Sequence, residues 1–256
     1  MSIHPTAVVA PGAKIAEDAT VGPHSVIDGE VELGPDVEIG PQVWVTGRTR
    51  IGARTRIFPH SVIGATPQIL NPDRFGGTLE IGEDNEIREF ASLHVGSPEG
   101  GGHTVIGSHN LIQHGFHVAH DCSIGDHCVL AAQAALGGHV IVEDYAVIGA
   151  RTAVHQFVRI GESAFTAGNA MVSQDVVPYT KVAGDRAKFI GINSINLERR
   201  GFDKDRIAVV KHALHLLYNS KLSKVEALER IESECAGAET ERLLEFLRSA
   251  ERGFTR

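Results

Sequence analysis

The chain carries 14 histidines, and five of them fall between positions 94 and 155 beside residues that could do chemistry: His94, His117, His120, His139 and His155. Asp121 follows His120 directly. A carboxylate beside an imidazole can hold the ring in one tautomer and support it as a general base. Gly137 and Gly138, just before His139, offer unhindered backbone N–H groups of the kind that meet a developing oxyanion. No serine elbow motif accompanies them, and none of the three cysteines reads as an exposed nucleophile. The pattern favours direct attack by a substrate hydroxyl over a covalent enzyme intermediate. Neutral imidazoles also bind metals, so a zinc site is the rival chemistry for the same residues.

Residues so far apart must be gathered by a repeat, and the chain has one. An aliphatic residue returns every sixth position from Ile3 through Val9 and Ile15 to Ile63, again at Ile81, Ile87 and Leu93, and from Ile106 to Val172. Thr166 alone breaks the rule among these 26 positions. Six matches neither a helix of about 3.6 residues per turn nor a simple strand alternation, and it is a known β-helix period. Each hexad supplies one short inward-pointing strand and one corner. A small residue often stands two before the aliphatic one, and Gly often follows it, as a tight corner would favour. Three hexads close a coil of 18 residues, so residues i and i+18 stack about 4.8 Å apart. The period leaves the hand of the coil open.

Counted from Ile106, the hexads at Val118, Leu136 and Val154 are the third, sixth and ninth, which share one face of a triangular prism. His120, His139 and His155 therefore form a vertical strip, with His117 at the corner where that face begins. His94 joins one coil lower if the stretch after it is a pure excursion. Imidazoles at strand spacing repel when charged, so the strip suits neutral rings.

Two stretches interrupt the repeat and read as excursion loops, residues 65–78 and 96–104, and the phase slips by one across the second. Loops leaving a regular scaffold are favoured sites of function. The hexads stop after about Val177, and from Asp203 the apolar spacing becomes helical: Ile207, Val210, Leu214 and Leu217, then Leu222, Val225, Leu228 and Ile231, then Leu243, Leu244 and Leu247. Ser223 and Glu226 form a capping box. The expected organisation is a mainly β domain, a parallel β-helix over residues 1–190, followed by an α-helical domain of two to four helices over 191–256.

A formal charge of −8 argues against non-specific nucleic-acid binding. The start MSIHPTAVVA has neither a basic region nor a long apolar run, so a cytoplasmic protein without a signal peptide or membrane span is expected. Cys122 and Cys128 occupy the small inward position and read, with Cys235, as reduced core thiols. No cofactor is called for. A three-sided prism with flat faces suits a homotrimer.

The residues His-Val-Ala-His-Asp-Cys (117–122), Gly-Gly-His (137–139), Ala-Val-His-Gln-Phe (153–157) and Arg-Arg-Gly-Phe (199–202) after Asn193 resemble the acyl-[acyl-carrier-protein]–UDP-N-acetylglucosamine O-acyltransferase family, which opens lipid A biosynthesis. The resemblance spans essentially the whole chain. It implies a left-handed parallel β-helix, a homotrimer with active sites between subunits, and transfer of a 3-hydroxyacyl group from acyl carrier protein to the sugar 3-hydroxyl. It implies His120 as base, Asp121 as its orienter and the Gly138 N–H as oxyanion donor. His94, His117, His139, His155 and Gln156 line the substrate pocket, with Gln68 in the first loop. Asn193, Arg199 and Arg200 hold the nucleotide end, and bidentate Arg suits phosphates. Gly168, Asn169 and Met171, together with Val172, border the acyl chain. Local cations near the first helix, among them Arg199, Arg200, Lys204, Arg206, Lys211 and His212, serve docking of the acidic carrier protein.

The chain departs from the family pattern at Gln68-Ile69-Leu70-Asn71, where many relatives show Gln-Asp-Leu-Lys, and at Ile195 and Asn196, where an acidic residue and a Gly are usual. These changes fall in the acceptor pocket. They raise a UDP-sugar with a 3-amino group, giving an amide, as an alternative acceptor. A trimeric zinc-dependent hydratase of the hexapeptide type and a non-catalytic scaffold are the other readings; the scaffold leaves the aligned imidazoles unexplained.

Overall fold

The computed structural model describes residues 2–70, 76–250 and 253–256. Each hexad folds as a two-residue strand and a turn, and the strands stack into three sheets of 11, 9 and 8 members. The first sheet begins at Ser2–Ile3, the second at Val8–Val9 and the third at Lys14–Ile15. Partners stand 18 residues apart, Ser2 beside Thr20 and Val8 beside Val26, in parallel register. Only the last pair, Thr180–Ala183 with Lys188–Ile192, is antiparallel among the described strands.

Both interruptions leave the stack intact. Across the first, Arg56 pairs with Glu86, so twelve residues are inserted; two whole hexads keep the phase. Across the second, Ser92 pairs with His117, an insertion of seven that produces the slip of one. The second excursion is shorter than expected, because His103 and Thr104 already pair with Thr78 and Leu79.

The aliphatic residues fill the prism. Ile27, Val45, Ile63, Leu93, Val118 and Leu136 are fully buried, whereas Ile3, Val9 and Ile15 in the terminal coil are half-exposed. Thr166 is also buried, and its hydroxyl oxygen accepts from the Gly149 N–H at 3.0 Å. The corner residue is not the glycine that follows the aliphatic position. It is the third residue after it, which takes a left-handed conformation: φ is 58° at Gln133, 59° at Asp121 and 61° at His139. Asn, Asp and His are enriched in that region, which accounts for His24, His60, His109 and His127 at equivalent corners. The glycine serves close stacking instead, since a Cβ on Gly22 would lie 2.7 Å from the Gly40 carbonyl carbon.

Four helices follow: α1 (Ser194–Arg199), α2 (Lys204–Tyr218), α3 (Lys224–Glu234) and α4 (Ala238–Ser249). The Ser223–Glu226 capping box is present on α3. Ile207, Val210, Leu214, Ile231 and Leu243 form a second core with Val177 and Tyr179 of the β-helix side, while Val225, expected inside, is 64% exposed. Charged groups also clasp the helices to the prism. Arg200 lies 2.6 Å from Glu162 and stacks on Tyr145, and Arg159, 3.2 Å from Glu143, stacks on Phe246 of α4. Glu162 is mostly buried and also lies 3.4 Å from Arg242, so removing Arg200 weakens its pairing without leaving the charge alone. Arg200→Ala is expected to lower stability by about 1–2 kcal/mol, measured by urea unfolding. Arg199→Ala, exposed and outside the clasp, is expected to change it by less than about 0.5 kcal/mol.

Candidate active site

The second sheet brings the imidazoles together. Ser92, His117, Ala135, Ala153 and Met171 follow one another along its outer face. His94 and His117 meet edge to face with ring centres 5.1 Å apart, and His120 and His139 meet perpendicularly at 5.3 Å. His94 Nδ1 lies 2.7 Å from the Thr66 carbonyl, and His117 Nδ1 lies 2.8 Å from Ser92 Oγ. His155 stands two coils further on, exposed, with Nδ1 turned to the Gln156 carbonyl at 2.9 Å. Four rings thus gather, and His155, which counting by sixes places in the same strip, follows Ala153–Val154 of the same sheet one coil beyond His139 and makes no ring contact among the described residues.

His120 and Asp121 form one unit. His120 Nδ1 lies 2.7 Å from Asp121 Oδ2, leaving Nε2 without a partner among the described residues. The Asp121 side chain is 2% exposed, and the residue sits on a left-handed corner beneath the second excursion loop. That loop supplies three further donors. Ser97 Oγ donates to Oδ2 at 2.6 Å, the Ser97 N–H reaches Oδ1 at 3.0 Å, and the Gly102 N–H reaches Oδ1 at 3.1 Å. Thr104 Oγ1 accepts from the Asp121 N–H at 2.9 Å. Burial pushes the carboxyl pKa up, but hydrogen bonds from Ser97 and His120 outweigh it, and the net shift is downward.

Gly100 packs against this unit so closely that a Cβ would lie 2.2 Å from Asp121 Oδ2. Gly138 lies under the His120 ring, and a Cβ there would fall 2.7 Å from Cε1 and 2.8 Å from Nε2. The Gly138 N–H has no acceptor among the described residues, whereas its carbonyl accepts from Phe157. Phe157 stacks on His139 with centres 4.5 Å apart. Ser97, Gly100, Gly102, Thr104 and Phe157 are the site residues that sequence reasoning missed. Phe157 had a signal, since it stands 18 positions after His139; the loop residues obey no period.

One ligand atom each from His120, Asp121 and His139 lies within 4.8 Å of the others, a spacing a divalent ion could bridge. Asp121 fits that role poorly. Its four acceptor sites are met by four donors, and His120 Nδ1 must keep its proton to be one of them. The cysteines offer no thiolate either: all three are buried and unpaired, and burial pushes Cys122 and Cys128 up to about 12.

The neutral-ring expectation holds for two of the imidazoles. Burial, then the neighbouring His94, pushes His117 down to about 4, and burial lowers His94. A histidine whose folded pKa lies below its unfolded value of 6.5 gives its full stability above that pH. That contribution is lost as the pH falls towards 4. Urea unfolding at pH 7.5 and 5 is expected to show this fall, and His117→Asn to flatten it.

The remaining expected residues are placed as follows. Asn193 is buried at the start of α1 and donates through Nδ2 to the Ser163 carbonyl at 2.8 Å. Arg200 is engaged through Nη1 by Glu162 and by Ser163 Oγ, which leaves fewer of its donors for a phosphate. Arg206 pairs with Glu239 and His212 with Glu234, whereas Arg199, Lys204 and Lys211 are exposed. Met171 is 46% exposed and lines a cavity of about 840 Å³ with His155 and Val172, while Gly168 and Asn169 lie on the preceding corner outside it. Gln68 is exposed, Ile69 lines a largely apolar cavity of about 510 Å³ with Trp44 and Pro98, and Asn71 lies outside the described residues. Ile195 is 59% exposed on α1, and Asn196 Nδ2 donates to the Tyr145 carbonyl at 3.3 Å.

Known proteins resemble this chain in sequence and in fold. Residues 103–138 match the bacterial transferase hexapeptide family, and residues 175–255 match the second domain of UDP-N-acetylglucosamine O-acyltransferase. The acyl-[acyl-carrier-protein]–UDP-N-acetylglucosamine O-acyltransferase of Myxococcus xanthus is 46% identical over 99% of each chain. The chain belongs to that O-acyltransferase family. The corresponding enzyme of Anaeromyxobacter sp. (strain Fw109-5) is 44% identical over the full length of both. The solved UDP-N-acetylglucosamine acyltransferase of Bacteroides fragilis is 36% identical with a TM-score of 0.96 over 99% of both chains. That of Campylobacter jejuni is 31% identical with a TM-score of 0.94 over the same share. The protein is an acyltransferase with the left-handed parallel β-helix of hexapeptide repeats. None of its helices is long and apolar enough to cross a membrane among the described residues.

Proposed function

We propose that the protein transfers a 3-hydroxyacyl group from acyl carrier protein to the 3-position of UDP-N-acetylglucosamine, the first step of lipid A biosynthesis. The single observation that carries the mechanism is the His120–Asp121 contact of 2.7 Å, with the His120 ring lying over Gly138. Asp121 fixes the proton on Nδ1, and the bare Nε2 takes the proton of the sugar 3-hydroxyl. The oxygen attacks the thioester carbonyl carbon, and the Gly138 N–H meets the oxyanion. Collapse breaks the C–S bond, and the imidazolium returns its proton to the departing carrier thiolate. His94, His117, His139, His155 and Gln156 line the substrates, Arg199 serves the nucleotide end, and Met171 borders the acyl chain.

The active unit is a homotrimer in the cytoplasm. Val8 at 61%, Trp44 at 44% and Met171 at 46% exposure leave the second sheet's outer face with apolar groups that a neighbouring subunit would cover. A second acceptor reading rests on Ile69, a half-buried apolar residue in the first loop where relatives carry an acid. The test is acyl transfer from a 3-hydroxyacyl carrier protein to UDP-N-acetylglucosamine and to its 3-amino analogue, each with and without chelator. Faster ester formation, unaffected by chelator, is the expected result. Faster amide formation would assign the amino sugar, and loss of activity with chelator would bring the metal reading forward.

A further inference from the structure

Ser97 lies 24 residues from Asp121 in sequence, outside the repeat, yet two of the four donors that hold the Asp121 carboxylate are its hydroxyl and its N–H. Ser97 is itself 3% exposed. We propose that Ser97 is a positioning residue of the transfer reaction, acting through Asp121 to fix the orientation and the proton affinity of the His120–Asp121 pair. The inference rests on the general-base reading of His120.

The physical reasoning follows the shared oxygen. Asp121 Oδ2 accepts from Ser97 Oγ at 2.6 Å and from His120 Nδ1 at 2.7 Å. Two donors on one oxygen compete for its charge. The serine hydroxyl therefore lowers the charge that Asp121 presents to the imidazole, and holds the base below the strength an unshared carboxylate would give it. The same hydroxyl sets the direction of the carboxylate and so of the ring. No other hydroxyl among the described residues donates to Asp121, since Thr104, on the strand after the loop, accepts from its backbone N–H instead. The charged and titratable groups facing the pair are His139 of the next coil, 3.8 Å from Asp121 Oδ2, His94 of the coil before, and the buried Cys122 thiol beside Asp121. Gly100 closes the loop over the carboxylate, where a side chain has no room. The Ser97 N–H remains in Ser97→Ala, so the loop keeps its main-chain hold on Asp121.

The test compares pH–rate profiles of the purified full-length enzyme with those of Ser97→Ala, Ser97→Thr and His120→Ala. Ser97→Ala is expected to lower kcat about tenfold to a hundredfold through misalignment of the base. KM for both substrates stays near the parent value, and the acid limb of the profile moves to higher pH. Ser97→Thr, which keeps the hydroxyl, restores both rate and limb. A purely structural serine would lower the rate without moving the limb, and that result overturns the inference, as does a Ser97→Ala profile equal to the parent's. If Ser97→Ala does not fold, Ser97→Cys, a weaker donor of similar shape, must show the displaced limb or the inference falls. Full activity of His120→Ala would instead overturn the general-base reading on which the inference rests, so the two failures are distinguishable.

Discussion

His120→Ala is expected to lower kcat for acyl transfer by at least about 10²–10⁴-fold, the usual contribution of a positioned base. The structure gives the expectation a direction as well as a size. Nε2 is unpartnered among the described residues, and of the four clustered rings only His120 is hydrogen-bonded to a carboxylate. His139 is 3.8 Å from the same carboxylate and stacks on Phe157, and His117 has its Nδ1 on Ser92. Removal of the ring takes away the proton acceptor and leaves the pocket that the other imidazoles line. KM values are therefore expected to change much less than kcat. Steady-state kinetics with both substrates varied checks this; a kcat within tenfold of the parent would be incompatible with His120 as base.

Gly138→Ala is the second large effect, expected at about 10²–10³-fold in kcat, comparable with loss of one oxyanion donor. A methyl group at this position would sit within 2.8 Å of His120 Nε2, nearer than non-bonded atoms tolerate. Either the ring swings away from its acceptor or the backbone retreats and takes the N–H with it, and both moves disarm the site. Gly12→Ala is the matching control, because the nearest atom to its Cβ is 3.9 Å away. Equal rates for the two variants would remove the steric argument; the expected outcome is a slow Gly138 variant with near-parental melting temperature.

The sequence made much of this scaffold readable because a six-residue period fits a three-sided parallel coil and leaves its hand as the open choice. Leu93, Val118 and Leu136 announce the second sheet, and counting from them puts His94, His117, His120 and His139 in one cluster. The corner was misassigned for a physical reason. Glycine after the aliphatic residue suggests a left-handed turn, yet it is needed because successive coils leave no space for a Cβ, and the left-handed conformation falls on residues such as Asp121 and His139. Ser97 was invisible because a loop contact carries no period. The Arg-Arg-Gly-Phe run does not reveal that Glu162 and Tyr145 stand beside Arg200, because neither lies near it in sequence. Helix α1 escaped notice because it is six residues long and Asn193 makes no side-chain cap to announce it.

The proton on the His120 ring bears most directly on the mechanism. Nitrogen-detected NMR of the histidine-labelled enzyme, with His120→Ala to assign the signal, reports which ring nitrogen carries it near pH 8. The Asp121 contact requires the proton on Nδ1 and a bare Nε2. A His120 ring protonated on Nε2 and bare on Nδ1 could not accept the acceptor's proton there, and the general-base mechanism would be contradicted.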